Sequence, residues 1–272
     1  MNYLDYLRTD KFPHFWCSGC GNGSVLCAIA RAFEELDLTL ENTVVVTGIG
    51  CWGKADDYVR TNSFHGTHGR ALAFATGIKL ANPSLNVVVL MGDGDGITIG
   101  GNHFIHAARR NVDVTAILVN NFNYGMTGGQ YSGTTPEERI TTTSRYGHIE
   151  EGFDICAVAK AAGARYVARA STENPQQLKN LIRDGIKKQG FACIEAISPC
   201  PTHFGRNNGM RSPAALMRWV NENSVTPAQA VAMSEEELAG KLVMGLICDR
   251  PGEDYSTKYQ HVIEKAQSEV KK

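Results

Sequence analysis

The chain has 272 residues, of which 20% are charged, and its 27 lysines and arginines nearly balance 28 aspartates and glutamates, for a formal net charge of −1 at pH 7. This length allows one large α/β domain or two small ones, and the charge gives no reason to expect nucleic acid or an anionic membrane as a partner. The N-terminus lacks a basic region followed by an apolar stretch, and no apolar run approaches the roughly 20 residues that span a bilayer, so a soluble cytoplasmic protein is expected.

Apolar residues follow helix and strand spacings in alternation from residue 20 to 200. In chain order, this pattern predicts a helix at 24–36, a strand at 42–50, a helix at 69–81, a strand at 86–94, a helix at 102–110, a strand at 114–121, a helix at 155–163, a strand at 164–170, a helix at 175–189 and a strand at 191–198. The stretch from Phe122 to about Gly152 is loop-like. Near-continuous apolar strands separated by helices indicate a doubly wound, mostly parallel sheet with helices on both faces.

The last part of the chain is less regular. It contains a predicted helix at 212–223, a strand-like segment at 241–248 and a polar C-terminal helix. Residues 1–205 are therefore predicted to form a ligand-binding α/β domain. Residues 206–272 are predicted to form an extension that packs on this core or on a partner, without a fold of its own.

Four unusual segments follow predicted strands. They are GIGC, GDGDG, NNFNYG and SPCP, which begin at Gly48, Gly92, Asn120 and Ser198. Ligands of open α/β sheets bind beyond the carboxyl ends of the strands. We therefore expect these four segments to lie at one edge of one sheet.

The segment LMGDGDGITIGGNH suits three kinds of site: a calcium loop, a dinucleotide-binding loop or a metal–diphosphate site. A calcium-binding EF-hand loop starting at Asp93 would put Ile97, Thr98 and Phe104 at positions that these residues cannot serve. The run GIGCWG at 48–53 matches a dinucleotide fingerprint, but the acidic residue expected about 20 residues later is missing.

The metal–diphosphate interpretation fits better. Asn121 lies at the end of the strand that follows Asp93, so a strand–helix–strand unit brings the two side chains to neighbouring strand ends. A carboxylate and an amide oxygen are hard ligands suited to Mg²⁺. The surrounding glycines let backbone N–H groups approach phosphates.

The eight cysteines fall into two groups. Four lie inside apolar periodic segments and are predicted to pack as small hydrophobic residues: Cys27, Cys156, Cys193 and Cys248. The other four lie beside Gly, Ser or Pro in loop-like sequence: Cys17, Cys20, Cys51 and Cys200. Four thiolates suit either Zn²⁺ or an iron–sulfur cluster, but a structural zinc site usually gathers two C-x-x-C pairs, whereas only one is present among these four.

Taken together, CSGCGNG, GIGCWG, HGTHGRALAFATGIK, GDGDGITIGGNH and NNFNYGMTGGQYS resemble the β subunits of 2-oxoacid:ferredoxin oxidoreductases, especially those acting on 2-oxoglutarate. The resemblance covers about residues 12–205 and implies the thiamine diphosphate-binding fold. It implies that Mg²⁺ is held by Asp93, Asn121 and the main-chain carbonyl of Asn123, and that the four loop cysteines hold a 4Fe–4S cluster. The residues implied to contact thiamine diphosphate are Gly92, Asp93, Gly94, Asp95, Asn121, Tyr124, Gly125, Met126 and Thr127.

The same resemblance implies oxidative decarboxylation of a 2-oxoacid, with 2-oxoglutarate as the best guess, to CO₂ and an acyl-coenzyme A. Electrons would pass singly through the cluster to ferredoxin. Thiamine enzymes also need a glutamate against the aminopyrimidine, normally from a second domain for which this chain has no room. An α subunit is therefore expected to supply it, in an α₂β₂ complex.

Three alternatives remain at this point. The substrate could be pyruvate or a branched-chain or aryl 2-oxoacid. The chain could belong to a non-redox thiamine decarboxylase or synthase, against which the loop cysteines argue. It could also be a zinc-stabilised interaction module, against which the pairing of Asp93 with Asn121 argues.

His65 and His68 form an H-x-x-H without a third metal-binding residue, so a non-metal role is expected. His68 is predicted to face the thiazolium and to stabilise charge on the substrate or move a proton, with a purely structural role as the alternative. Lys54 is predicted to pair with the second carboxylate of 2-oxoglutarate, with a surface lysine as the alternative. His103 and His106 are predicted to serve packing or to lie at the surface.

Overall fold

The computed structural model describes residues 1–270 and contains a central sheet flanked by helices. The helices are α1 (Asn22–Glu35), α2 (Ala71–Ala81), α3 (Gly101–Arg110), α4 (Ile155–Ala162), α5 (Pro175–Lys187), α6 (Pro213–Glu222), α7 (Pro227–Val231), α8 (Glu235–Leu238) and α9 (Tyr255–Val270). The strands are β1 (Thr43–Thr47), β2 (Asn62–His65), β3 (Asn86–Gly92), β4 (Thr115–Asn120), β5 (Tyr166–Ser171), β6 (Ala192–Ile197), β7 (Ser224–Val225), β8 (Leu242–Val243) and β9 (Gly245–Asp249). Every element predicted between residues 20 and 200 is present near its predicted bounds.

The main sheet has the strand order β2-β1-β3-β4-β6-β5-β9, and each neighbouring pair is parallel except β5 with β9. All residues of β1, β4, β5 and β6 are buried, as expected for strands covered on both faces. One apolar cluster packs α1 and α5 on one face, and a second packs α2, α3 and α4 on the other. The predicted doubly wound, mostly parallel sheet is confirmed. Within residues 1–270, no helix has the length and apolar character needed to cross a membrane.

Local sequence signals explain where several of the helices begin and end. α5 begins at Pro175, which needs no N–H partner in the first turn, and the side chain of Asn174 accepts a hydrogen bond from the Gln177 N–H at 3.0 Å. α3 and α4 are followed by residues in the left-handed conformation that closes a helix, Asn111 at φ 56° and Gly163 at φ 111°. These ends return the chain to the sheet through short connections.

Two features differ from the sequence-based expectation. The four residues of β2 are exposed, so no apolar alternation reveals this strand; its place at the sheet edge comes from pairing with β1, where Val44 lies opposite Asn62. The segment 241–248 is divided between β8 and β9 at Met244, and β9 begins at Gly245, whose φ is +119°, and pairs with β5 in the main sheet. The predicted extension thus shares the sheet of residues 1–205. The division at residue 205 stays a prediction, and residues 271–272 lie outside the described chain.

A buried ion pair connects β5 and β6 with the end of β4. Arg169 and Glu195 lie opposite each other in the strand register, both are almost fully buried, and Nε of Arg169 donates to Oε2 of Glu195 at 2.7 Å. The guanidinium also contacts Asp154 at 2.5 Å. The second oxygen of Glu195 accepts from Nδ2 of Asn120 at 2.8 Å. Each buried charge is therefore paired, and the pairing holds the last residue of β4 in place.

Replacing Arg169 by methionine is expected to lower the free energy of unfolding by about 3–5 kcal/mol, because the Glu195 carboxylate would stay buried without its cation. The control is Arg183→Met: Arg183 is partly exposed beside Glu35 and Asp184, and its loss is expected to change stability by no more than about 1 kcal/mol. Urea denaturation followed by circular dichroism measures both variants. Equal losses would contradict the expectation.

Candidate active site

A cleft lies at the carboxyl edge of the sheet, where the loops after β1, β3 and β4 emerge from neighbouring strands. All residues that were predicted to contact a diphosphate cofactor line it: Gly92, Asp93, Gly94, Asp95, Asn121, Tyr124, Gly125, Met126 and Thr127. Asn123, His68 and Cys51 line the same cleft. Three of the four predicted strand-end segments, GIGC, GDGDG and NNFNYG, therefore meet in this cleft, and the fourth, SPCP, lies beside NNFNYG, where the N–H of Cys200 donates to the main-chain carbonyl of Asn121 at 3.2 Å.

Asp93 is almost completely buried, with 1% of its surface exposed. The hydroxyls of Ser132 and Thr134 donate to its Oδ2 at 2.5 and 2.7 Å, and the N–H of Asn121 approaches its Oδ1 at 3.5 Å. Burial raises the pKa of the Asp93 carboxyl, and the two hydroxyls offset part of the rise. One carboxylate oxygen is thus firmly held, whereas the other has a long, weak contact and can coordinate a cation.

The loop after β4 presents two amides to the cleft. The N–H of Asn123 donates to Oδ1 of Asn121 at 3.1 Å, which makes an Asx turn. The Asn123 side chain is buried, and neither its Oδ1 nor its Nδ2 has a hydrogen-bond partner among residues 1–270. Because a buried amide without a partner is unfavourable, this site fits a cleft that is completed by a polar bound group.

Gly125 marks the point where this loop meets the cysteines. A Cβ on Gly125 would lie 3.3 Å from Oδ1 of Asn123 and 3.5 Å from both Nδ2 of Asn121 and Sγ of Cys51. A side chain at this position would therefore fill the space between the two amides and the thiol. The amides of the β4 loop and the thiol of the β1 loop converge on one small space.

The four loop cysteines come from the segment before α1, the loop after β1 and the loop after β6. Burial, together with the nearby Cys200 and Cys17, raises the pKa of Cys20 to about 11. The pKa of Cys51 is raised to about 12 by burial and by the same neighbours together with Cys20. Thiols perturb one another in this way only at short range. The four predicted cysteines are therefore near enough to one another for their charges to interact.

The spacing of these thiols bears on the kind of metal centre they suit. Around one tetrahedral zinc ion, with Zn–S bonds of about 2.3 Å, sulfur atoms are roughly 3.8 Å apart. Among residues 1–270, no three of the loop cysteines have sulfur atoms that all lie within 4.8 Å of one another. The group that meets this limit is Asp154, Cys156 and Glu195, whose two acids already pair with Arg169. The loop cysteines therefore do not meet the spacing of a single zinc ion.

The histidines and Lys54 have separate surroundings. Nδ1 of His68 is 2.6 Å from Oδ1 of Asp95, whereas His65 contacts Asp56, so the two histidines do not converge on one metal. Lys54 is not among the described residues that line the cleft; its ammonium pairs with Asp57 at 2.8 Å. This geometry does not support the predicted contact between Lys54 and a substrate carboxylate, and it matches the surface-lysine alternative.

The remaining cysteines and histidines lie close to their expected positions. Cys156 and Cys193 are buried in the core, as predicted, whereas Cys27 and Cys248 are only partly buried. His103 is partly exposed and His106 is exposed, in agreement with a packing or surface position.

Sequence reasoning missed Ser132 and Thr134, which support Asp93, and Trp52, which lines the cleft. Ser132 and Thr134 lie in the long loop between β4 and α4, where no periodic pattern indicates which side chains turn inward. The only signal was two hydroxyl residues, two positions apart, shortly after the glycine pair of TGGQ.

Residues 48–196 match the family described as "Thiamine pyrophosphate enzyme, C-terminal TPP binding domain". The chain is 49% identical over 268 residues to 2-oxoglutarate synthase subunit KorB of Methanothermobacter marburgensis, which covers 98% of this chain and 94% of that protein. It is 43% identical over 202 residues to 2-oxoacid:ferredoxin oxidoreductase 2, subunit beta, of Aeropyrum pernix, covering 74% of this chain and 65% of that protein. A solved structure of 2-oxoglutarate:ferredoxin oxidoreductase from Magnetococcus marinus with 2-oxoglutarate, coenzyme A and succinyl-CoA bound is similar with a TM-score of 0.87 at 31% identity, over 98% of this chain and 91% of that chain.

Proposed function

The chain belongs to the family of thiamine pyrophosphate-binding β subunits of 2-oxoacid:ferredoxin oxidoreductases, and from this premise we propose that, with an α subunit, it decarboxylates 2-oxoglutarate oxidatively to succinyl-coenzyme A and CO₂, with ferredoxin as electron acceptor. The observation that carries the proposal is the convergence of Asn121, Asn123 and Cys51 around Gly125. A diphosphate site beside a cysteine cluster suits an enzyme whose electrons leave one at a time, without NAD or lipoamide.

Mg²⁺ is held, in this proposal, by Oδ1 of Asp93, the side-chain oxygen of Asn121 and the main-chain carbonyl of Asn123. All three would be the hard oxygen donors that Mg²⁺ prefers. Support comes from Ser132 and Thr134, whose two hydroxyls bind Oδ2 of Asp93 and so fix the direction of the other oxygen. The orphaned amide of Asn123 supports a polar bound group at the same place.

The four loop cysteines are proposed to hold a 4Fe–4S cluster. Their spacing is wider than one zinc ion requires, and their mutual repulsion as thiolates favours a positively charged metal centre among them. When bound, thiamine diphosphate supplies the nucleophile and electron sink for decarboxylation, and a 4Fe–4S cluster supplies a one-electron acceptor.

The chain's own residues hold these groups and exclude water from the space between them. The indole N–H of Trp16 donates to the main-chain carbonyl of Cys51 at 2.6 Å, and the Trp16 ring packs on Trp52 with centroids 5.7 Å apart. Trp52 is 2% exposed and lines the cleft, so it closes the cleft on the side of the cysteines. His68, which lines the same cleft with a partly exposed ring, is positioned to hold or move a proton.

The partner is proposed to complete the site. No glutamate lies among the described residues that line the cleft, so the glutamate required at the aminopyrimidine is assigned to the α subunit of an α₂β₂ complex. Coenzyme A and ferredoxin are the further partners of this reaction.

The test is a panel of 2-oxoacids assayed with the complex of this chain and its α subunit, reading ferredoxin or viologen reduction, with iron and sulfide analysis of the same sample. We expect the highest kcat/KM for 2-oxoglutarate, dependence on coenzyme A, and four irons in each β subunit, which is the composition of the proposed cluster. A preference for pyruvate would overturn the substrate, and a protein without iron would overturn the redox chemistry.

Removing the hydroxyls around Asp93 is expected to weaken Mg²⁺ binding without abolishing it. In a Ser132→Ala, Thr134→Val variant, Oδ2 of Asp93 loses both its donors, and supports of this kind typically account for about 10- to 100-fold in metal affinity. Activity titrated with Mg²⁺ at saturating thiamine diphosphate measures the change. The control is Thr143→Val, at a hydroxyl of the same loop that contacts Tyr131 and does not line the cleft. An unchanged Mg²⁺ requirement in the double variant would contradict the assignment.

A further inference from the structure

Asp95 lies two residues after Asp93, but its contacts are of another kind. Its Oδ1 accepts three hydrogen bonds: from Nδ1 of His68 at 2.6 Å, from the N–H of Gly69 at 2.6 Å and from the N–H of Ile49 at 3.3 Å. The Asp95 side chain is 1% exposed. Since these donors belong to the loops after β1 and β2, Asp95 ties both loops to the loop after β3.

The backbone around Asp95 leaves room for this carboxylate and for little else. A Cβ on Gly48 would lie 2.0 Å from Oδ2 of Asp95, and a Cβ on Gly69 would lie 2.4 Å from the side chain of Ile99. Gly69 also has φ +72°, a conformation that favours glycine. The carboxylate of Asp95 is therefore fixed in position by its surroundings.

These contacts determine which ring nitrogen of His68 carries the hydrogen. A carboxylate oxygen can only accept, so Nδ1 of His68 must be the donor. In the neutral ring, Nε2 then keeps its lone pair. The His68 side chain is 35% exposed, whereas the Asp95 side chain, which lines the same cleft, is 1% exposed.

We propose that Asp95 is a positioning residue for His68: it holds the ring in the orientation and tautomer that present Nε2 to the reacting molecule in the cleft. The inference rests on the proposed function, because it takes the cleft as the place of reaction. The resemblance implied that Asp95 contacts thiamine diphosphate; in this proposal it instead acts through His68 and is not itself a ligand of the metal or the cofactor. The arrangement is the one by which a buried carboxylate orients a histidine base in other enzymes.

The chain offers a matched control pair. Nδ1 of His65 lies 3.1 Å from Oδ2 of Asp56, so this pair has the same chemistry as His68 with Asp95, but neither member lines the cleft. Asp56→Asn is therefore expected to leave kcat and cofactor affinity unchanged.

The test compares variants of Asp95 with and without His68, in the complex with the α subunit. Asp95→Leu is expected to lower kcat about a hundredfold or more, the usual weight of a positioned acid–base group. Asp95→Asn is expected to lower kcat less than Asp95→Leu, because an amide oxygen can still accept the same three hydrogen bonds. In a His68→Ala background, neither change at Asp95 is expected to lower kcat further.

The second measurement is the affinity for thiamine diphosphate, titrated by quenching of tryptophan fluorescence, since Trp52 lines the cleft. This affinity is expected to change by less than about threefold in every variant, because Asp95 is proposed to position His68 and not to bind thiamine diphosphate. If Asp95→Leu does not form the complex with the α subunit, the effect of Asp95→Asn on kcat can still be compared with and without His68→Ala.

Additive losses in the His68→Ala background would overturn the inference, because Asp95 would then act independently of His68. An Asp95→Asn variant that loses thiamine diphosphate affinity would also overturn it, and would make Asp95 a cofactor ligand. Failure of the wild-type complex to bind thiamine diphosphate would instead overturn the proposed function, and the inference with it.

Discussion

An Asp93→Asn complex is expected to bind thiamine diphosphate with Mg²⁺ about a thousandfold more weakly than the wild type and to lose ferredoxin reduction. The substitution keeps the shape of the side chain, but when its amide oxygen accepts from Ser132 and Thr134, its NH2 group takes the place of the oxygen that is proposed to bind Mg²⁺. A negative charge and a metal ligand are therefore lost together. Two unit charges about 4 Å apart interact by about 4 kcal/mol at a protein effective dielectric constant of 20, and about 1.4 kcal/mol corresponds to tenfold in affinity.

The measurement is calorimetric titration of the purified complex with thiamine diphosphate at fixed Mg²⁺. Asp57→Asn is the control, because Asp57 pairs with Lys54 at the surface and does not line the cleft. Iron content is expected to stay at the wild-type value in both variants, since no cysteine is touched. Cofactor affinity within about threefold of the wild type would remove Asp93 from the proposed metal site.

The position of Asp93 and Asn121 could be predicted because it depends on rules that act over short stretches. Apolar strands of β3 and β4 with a helix between them require a parallel pair, and parallel pairing puts both strand ends at the same edge. The register confirms this, with Gly92 opposite Val119 one or two residues before the polar side chains. Nothing beyond the pattern and the order of the elements was needed.

The position of Lys54 could not be predicted in this way. Its closeness to Cys51 in sequence suggested a place at the cleft, but residues 52–58 form a 3-10 helix. On this short helix, Trp52 and Ala55 turn inward and are buried, whereas Lys54 turns outward to Asp57. Helical turns of this length carry no periodic signal, so closeness to Cys51 in the sequence could not predict the direction of the Lys54 side chain.

The residues that hold the site in place could not be predicted from the sequence either. Ser132 and Thr134 reach Asp93 from a point about 40 residues further along the chain, through a loop without regular structure. The hydrogen bonds that connect Asn120 to Glu195 and Glu195 to Arg169 likewise join residues that only tertiary packing brings together. Local rules therefore located the groups that meet a ligand, whereas the groups that hold them in place became visible only in three dimensions.

The cysteine cluster can be tested independently of the diphosphate site. Cys200→Ser is expected to lose the iron and sulfide of the complex and to lower ferredoxin reduction by about two orders of magnitude or more, because serine is a poor substitute for a soft thiolate ligand. Cys200 is not one of the described residues that line the cleft, so thiamine diphosphate affinity is expected to stay within about threefold of the wild type.

Anaerobic absorption spectra, iron and sulfide analysis and cofactor titration of one preparation measure these quantities together. Cys27→Ser is the control, because Cys27 lies on α1, apart from the four loop cysteines, and is expected to keep iron and activity. Asp93→Asn should lose the cofactor and keep iron, whereas Cys200→Ser should lose iron and keep the cofactor. A wild-type protein that contains one zinc and no iron, or a Cys200→Ser variant with full iron content, would show that these four thiols do not hold the electron acceptor.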